Sequence, residues 1–244
     1  MSAAIELKDV SKSFANQPVL EKISLSIQNG EIVALLGASG GGKSTLLNLI
    51  SGLLDADGGD IIIQGTAAKH FQQWQQIAYL FQEDRLLPWR SVQQNVHFGL
   101  ENSELSKSEK QQRVSDALKL VGLADYTQHW PHQLSGGMRS RVALARSLVV
   151  QPQIMLMDEP FSRLDPQTRS TLHNELLRIQ ALTAMTIIIV THDVEEAVVL
   201  ADRVVVLKPH PGRIHSQTAL SLPRPRIATL PDVNEQIRLL RLEV

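Results

Sequence analysis

Cysteine is absent from the 244 residues, which excludes disulfides and thiolate-held metal and suits a reducing compartment. Charge of one sign is also lacking. Twenty-four Lys and Arg face 25 Asp and Glu, the net charge is -1, and no long basic block appears, so the electrostatic footprint of a nucleic-acid binder is missing. No apolar run approaches the roughly 20 residues of a membrane span. The first ten residues set Glu6, Lys8 and Asp9 among their apolar positions and do not form a secretory signal pattern. A soluble, cytoplasmic chain is expected, long enough to bury a full core as one unit.

What is present is organised around Gly37-Ala38-Ser39-Gly40-Gly41-Gly42-Lys43-Ser44, between the apolar run 32–36 and the helical pattern opening with Thr45. Strand, glycine loop and helix in that order form a phosphate-binding loop. Backbone N–H groups turn inward around a polyphosphate, Lys43 reaches its outer phosphates, and the Ser44 hydroxyl can ligate magnesium. The helix adds the positive end of its dipole.

Residues 5–10 and 23–27 alternate apolar with polar, as half-buried antiparallel strands do. Residues 32–36, 154–157 and 187–190 do not alternate, so they predict parallel strands covered on both faces. Helical patterns near 43–51, 136–149, 166–182 and 193–201 supply the cover. The fold class is therefore α/β, a mainly parallel sheet with an antiparallel β layer at its N-terminal edge. Residues 83–134 are more polar, with Val114, Leu118 and Val121 at helical spacing, and read as a helical insert. The tail carries Pro209, Pro211, Pro223, Pro225 and Pro231, a density expected to prevent regular structure through most of it.

Two further stretches carry chemistry. The apolar run 154–157 ends in Asp158 and Glu159, and ligands of parallel sheets sit beyond the carboxyl ends of the strands. Asp158 suits the magnesium shell, and Glu159 suits orienting or deprotonating an attacking water. Ser135-Gly136-Gly137 opens a helical pattern, with Ser135 as N-cap and two glycines leaving the first N–H groups approachable, a second anion-binding helix start.

The phosphate loop, Gln82 after an apolar strand, Leu134-Ser135-Gly136-Gly137-Met138, Met157-Asp158-Glu159-Pro160, Leu164-Asp165 and Thr191-His192-Asp193 resemble, in order and spacing, the ATPases of ATP-binding-cassette transporters, with a P-loop NTPase core. The resemblance covers almost the whole chain. It implies ATP and Mg2+ as ligands and a head-to-tail dimer that closes on two ATP molecules. Phe14 would stack on adenine, Gly37, Ala38, Ser39, Gly40, Gly41, Gly42, Lys43, Ser44 and Thr45 would hold phosphates, and Ser44, Gln82 and Asp158 would serve the metal. Gln82 would also sense the attacking water. Ser135, Gly136 and Gly137 would touch the partner's γ-phosphate. Glu159 would be the catalytic base, His192 would contact the γ-phosphate beside Lys43, and Asp165 would couple the two sites. The implied domain spans 1–244, with its nucleotide-binding core in 1–82 and 135–208, a helical subdomain in 83–134 and a tail in 209–244.

Two positions depart from the pattern: Met138 stands where many cassettes carry glutamine, and Arg163 where a small residue is usual. Residues 86–96 and Pro211-Gly212-Arg213-Ile214 are similar to one importer branch, that of taurine, alkanesulfonate, nitrate and bicarbonate systems and of thiamine-precursor pyrimidines. That likeness implies an integral membrane permease, which residues 86–96 would receive, a periplasmic or extracellular substrate-binding protein, and a peripheral place on the cytoplasmic face of the inner membrane. Cassette ATPases of DNA repair share this core but carry a long coiled coil where only 90 residues separate Ser44 from Ser135 here, so no nucleic-acid partner is expected. An exporter or lipid-transfer ATPase is the remaining alternative.

Overall fold

In the computed structural model, which describes residues 3–244, the chain opens with two long strands, β1 (Ala3–Phe14) and β2 (Gln17–Gln28). There follow β3 (Ile32–Leu36), α1 (Lys43–Ile50), β4 (Gly58–Ile63), β5 (Thr66–Ala67) and β6 (Ile77–Leu80). The insert holds α2 (Val92–His97) and α3 (Lys107–Leu120). Next come α4 (Gly136–Leu148), β7 (Ile154–Asp158), α5 (Pro166–Thr183), β8 (Thr186–Thr191), α6 (Val194–Leu200), β9 (Arg203–Lys208), β10 (Arg213–Ala219) and α7 (Pro231–Arg241). Residues 1 and 2 of the expected domain lie outside the described residues.

The non-alternating strands do what their composition requires. They form a six-stranded sheet in the order β10-β9-β3-β8-β7-β6, parallel except for β10. Successive residues serve opposite cores: Ile32, Ala34 and Leu36 pack with Met155, Met157, Ile187 and Ile189 under the helices α2 to α7. Val33 and Leu35 pack with Ile154, Leu156, Ile188 and Val190 against α1 and the antiparallel layer. That layer is the four-stranded sheet β2-β1-β4-β5. Register then decides where the chemistry falls. Leu36 lies opposite Thr191, Asp158 opposite Val190 and Leu80 opposite Met157, so Gly37, His192, Glu159 and Gln82 all follow the carboxyl edge of one sheet.

Helix α4 packs on α2 and α3 as well as on β6, and so joins the insert to the sheet. One expectation changes, since the tail is more regular than its prolines suggested: β10 pairs with β9, and α7 lays Val233, Ile237 and Leu240 on the core beside α6. Proline density misled because position matters more than number. Pro231 occupies the first turn of α7, where a missing N–H costs nothing, and the other prolines fall between elements. Among the described residues, no helix is long and apolar enough to cross a membrane.

Arg226 binds the tail to the body. Its buried guanidinium donates to the carbonyls of Val198 (2.7 Å), Ala201 (2.5 Å), Leu220 (3.0 Å) and Leu222 (2.9 Å), capping the end of α6. Arg226→Met leaves these acceptors without their donor. We expect a loss of about 2 kcal/mol or more in urea unfolding, since each buried orphan costs about 1–3 kcal/mol; an unchanged midpoint would show that water replaces the guanidinium.

Candidate functional site

The glycine loop is shaped by close backbone approach. A Cβ on Gly37 would collide with the carbonyl oxygen of Leu207 on β9, and one on Gly42 would lie 2.5 Å from a Leu20 methyl carbon. Gly42, at φ 80, is the N-cap of α1 and supplies no side-chain cap, so the first N–H groups of the helix stay open to an anion. An open cleft of about 420 Å3 is lined by Phe14, Val19, residues 39–45 and Glu159. Phe14 is 45% exposed at its rim with the Lys12 ammonium 5.6 Å from the ring centroid, so the ring is no part of the core.

Lys43 is buried and donates to the carbonyls of Gly37 and Ala38, both at 2.8 Å, instead of reaching into the cleft. Burial lowers its pKa, against the pull of Glu159 and Asp158. The side chain is therefore stored on its own loop, and a polyphosphate offers it a better acceptor than two neutral carbonyls.

Asp158 and Glu159 lie at the carboxyl end of β7, and they bring in partners that the sequence did not point to. Ser44 Oγ donates to Asp158 Oδ1 at 3.0 Å. Burial raises the Asp158 pKa; the Ser44 hydroxyl and Lys43 pull it back, and Glu159 pushes it further up. Tyr79, half buried on β6, hydrogen-bonds the same carboxyl and stacks on Phe81 at 4.2 Å, and the Arg85 guanidinium lies 3.8 Å from the Phe81 ring centre. Burial, and then the neighbouring Asp158 charge, push the Tyr79 hydroxyl pKa up, so it stays a donor. Glu159 adopts φ 43, its N–H held by Val190 O at 3.0 Å, which turns its carboxylate out of the sheet. His192 Nδ1 lies 3.2 Å from Glu159 Oε2, and Gln82 Nε2 lies 3.4 Å from both that oxygen and Ser162 Oγ. Asp165 is the N-cap of α5, accepting from Thr168 N at 3.0 Å, and the hydrogen bonds from the Thr168 side chain and then its N–H hold the carboxyl below its ordinary pKa.

Ser135 caps α4 by accepting from Met138 N at 3.2 Å, and Ser135, Gly136 and Gly137 do not line the cleft. A Cβ on Gly137 would lie 2.5 Å from Thr168 Cγ2, so the start of α4 presses on the start of α5. Met138 packs on the helical core, and Arg163 is exposed with Glu83 at 3.4 Å. The Gln82 loop is clamped by α4: Arg139 Nε meets Asp84 at 3.0 Å, and Arg146 donates to the carbonyls of Asp84 (2.7 Å) and Arg85 (2.8 Å). Beyond it Trp89 is 68% exposed, outside the helical core that could have buried it. Fully buried Asn95 shapes that segment from within. Its Oδ1 accepts from Leu87 N, and its Nδ2 donates to the carbonyls of Leu87, Arg90 and Ser91.

Sequence reasoning missed Tyr79, Asn95 and Ser162. Tyr79 had a usable signal, a hydroxyl in a strand one residue from an apolar end; the other two had none without the fold.

The raised Asp158 pKa carries a testable sign. A carboxyl whose folded pKa exceeds its unfolded value burdens the fold only where it is ionised. Asp158→Asn should therefore raise the Tm of nucleotide-free protein near neutral pH, and the gain should vanish as pH falls through the raised value towards the ordinary 3.8. Melts over that range check this; a gain that grows on acidification would reverse the assignment.

Residues 20–162 match the family model of the ABC transporter. The chain is 44% identical over 227 residues to the aliphatic sulfonates import ATP-binding protein SsuB 1 of Xanthomonas axonopodis pv. citri, covering 92% of this chain and 89% of that one. It is 41% identical over 223 residues to the nitrate import ATP-binding protein NrtD of Synechocystis sp., covering 90% and 83%. Its fold matches a dimeric post-hydrolysis structure of the ATP-binding cassette MJ0796 bound to ADP and Pi, with TM-score 0.77 and 29% identity over 90% of this chain and 100% of that one. The family match spans the glycine loop and the two acids that close on it, and the chain belongs to the ABC transporter family as an ATP-binding ATPase subunit.

Proposed function

We propose that this ATPase drives an importer of a small anion of the sulfonate, taurine, nitrate or bicarbonate kind, working as a head-to-tail dimer. The observation that carries the catalytic reading is Glu159, turned out of the sheet by its positive φ into the phosphate cleft and held by His192 and Gln82. Glu159 takes a proton from the attacking water, Gln82 orients that water, and His192 leaves Glu159 to meet the γ-phosphate. Lys43 exchanges its two carbonyl acceptors for phosphate oxygens, the N–H groups of residues 37–45 cradle the phosphates, and Phe14 stacks on adenine.

Mg2+ fits this donor set. Ser44 Oγ and the Asp158 carboxylate already share one hydrogen bond, and among the described residues no cluster of three or more acidic, histidine or cysteine side chains exists to hold a cation alone. A hydroxyl and one carboxylate completed by substrate phosphates is the arrangement this ion prefers, and Gln82, which contacts the neighbouring Glu159, would add its amide oxygen. Bound there, the ion neutralises charge on the phosphates.

Dimerisation is supported by the N-terminus of α4. Ser135, Gly136 and Gly137 present an anion-binding helix start outside the chain's own cleft, where a second copy's γ-phosphate can reach it. The similar MJ0796 cassette is itself dimeric. The relatives are import ATP-binding proteins, which supports a membrane permease as partner. A substrate-binding protein beyond the membrane and a peripheral place on the cytoplasmic face of the inner membrane go with that reading as part of the proposal. Residues 86–96 suit permease docking, since Trp89 is exposed and Arg90 is braced by Glu101 at 2.5 Å and by the ring of Phe98.

Glu159→Gln keeps shape and removes the base. Hydrolysis should fall by about 10²-fold or more while ATP shifts the variant to a dimer in gel filtration. A monomeric variant hydrolysing ATP at the parental rate sinks the mechanism. Trp89→Ala should leave Tm and basal ATPase within error but abolish copurification with the permease, since an anchor residue is worth about 2 kcal/mol or more. Unfolding of the isolated variant, or transport that survives, would remove residues 86–96 from the docking face.

A further inference from the structure

Two buried ionisable side chains lie outside the nucleotide site and take no part in the mechanism above. His173 on α5 is 8% exposed and Glu196 on α6 is 4% exposed, and His173 Nε2 lies 3.1 Å from Glu196 Oε1. The edge of the His173 ring meets Phe161, with centroids 4.8 Å apart and planes at 72°. Phe161 follows Glu159 by two residues in the loop that leads to Asp165. One turn nearer the site a second tie joins the same helices: Arg169 Nη1 meets Asp193 Oδ2 at 3.0 Å, and Arg169 Nη2 donates to Leu164 O at 3.3 Å. Asp193 in turn caps α6, accepting from Glu195 N (2.9 Å) and Glu196 N (3.3 Å). The two rungs therefore join the loop carrying Glu159 and Asp165 to the turn carrying His192.

Stability alone is a poor reason for such a pair. Removing a carboxylate and an imidazole from water is costly, and two well-packed apolar residues of similar size usually serve a core as well or better. What an apolar contact lacks is direction. A hydrogen bond between fixed helices allows one separation and one rotation, whereas apolar surfaces slide. α6 has only seven residues, so a displacement at Glu196 reaches Asp193 within one turn, and His192 stands next to it.

We propose that His173 and Glu196 are positioning residues, a buried hydrogen-bonded pair that fixes α6 against α5 and so sets how His192 meets Glu159 and the terminal phosphate. The inference rests on the roles given above to His192 and Glu159. It requires the pair to act on turnover and not on ATP affinity, because no residue of the phosphate loop is tied to either helix by these bonds.

The test uses the full-length protein. His173→Leu with Glu196→Leu removes both polar partners together and leaves no buried charge unpaired, so Tm should stay within a few degrees of the parent. We expect kcat to fall about tenfold with KM for ATP within about twofold, the pattern of an interaction made only on the way to the transition state. His173→Gln, which keeps an N–H donor for Glu196, should recover at least about half of the parental kcat. In a His192→Ala background the leucine pair should lower kcat by less than about twofold more, because residues that act through one group are not additive. Parental kcat in the leucine pair, a glutamine variant as slow as the leucine pair, or a full further tenfold loss in the His192→Ala background would each overturn the proposal. If the leucine pair does not fold, Glu196→Met replaces it, removing the acceptor of the His173 ring at similar size, with an expected loss of about threefold judged by the same background comparison. Failure of the underlying site reading is separately visible: His192→Ala would itself keep the parental kcat, and the proposal would fall with it.

Discussion

The absence of one methyl group governs the nucleotide site. Gly37 sits where any Cβ would strike the carbonyl of Leu207, so the loop can leave β3 only by lying against the end of β9. The same squeeze recurs along the loop: Gly42 fits against Leu20, and Gly212 fits under the carbonyl of Gly41. Two strands from two sheets, β9 and β2, and the turn that follows β9 thus form the mould for a loop whose own residues have almost no side chains. A loop cast in this way is already held in shape by its neighbours, so little ordering remains to oppose binding.

Charge is distributed in the cleft so that nothing is far from compensated. Lys43 rests on carbonyls, Asp158 rests on Ser44 and Tyr79, and Glu159 rests on His192 and Gln82. Under the proposed function a polyphosphate would offer Lys43 charged oxygens in place of neutral carbonyls, so binding would replace contacts instead of filling an empty space. The raised Asp158 and lowered Lys43 pKa values, both caused first by burial, record the cost of holding opposite charges ready in a partly dry place.

Much of this arrangement was legible before the fold was seen, and the reason is distance along the chain. Residues 37–45, 135–138 and 158–159 each act within a few positions of one another, so spacing alone reveals them. The parallel sheet was legible because both faces of β3, β7 and β8 are apolar. What escaped depends on partners far away in sequence. Arg226 matters because α6 ends above it, and Asn95 because residues 87–91 wrap around it. Tyr79 matters because β6 lies beside β7. The order in the tail escaped for the opposite reason. Its prolines were visible, but whether each falls inside an element or between two is decided by pairing with β9 and α6.

Asn95 separates the shape of residues 87–91 from their surface. The amide fixes the backbone from the inside through Leu87, Arg90 and Ser91, while Trp89 points to solvent and contributes nothing to that scaffold. Substitutions on the outer face can therefore accumulate without changing the path of the chain. A segment built in this way can exchange one binding partner for another in single mutational steps, each intermediate still folded, whereas a loop shaped by its own exposed side chains would have to change form and specificity together.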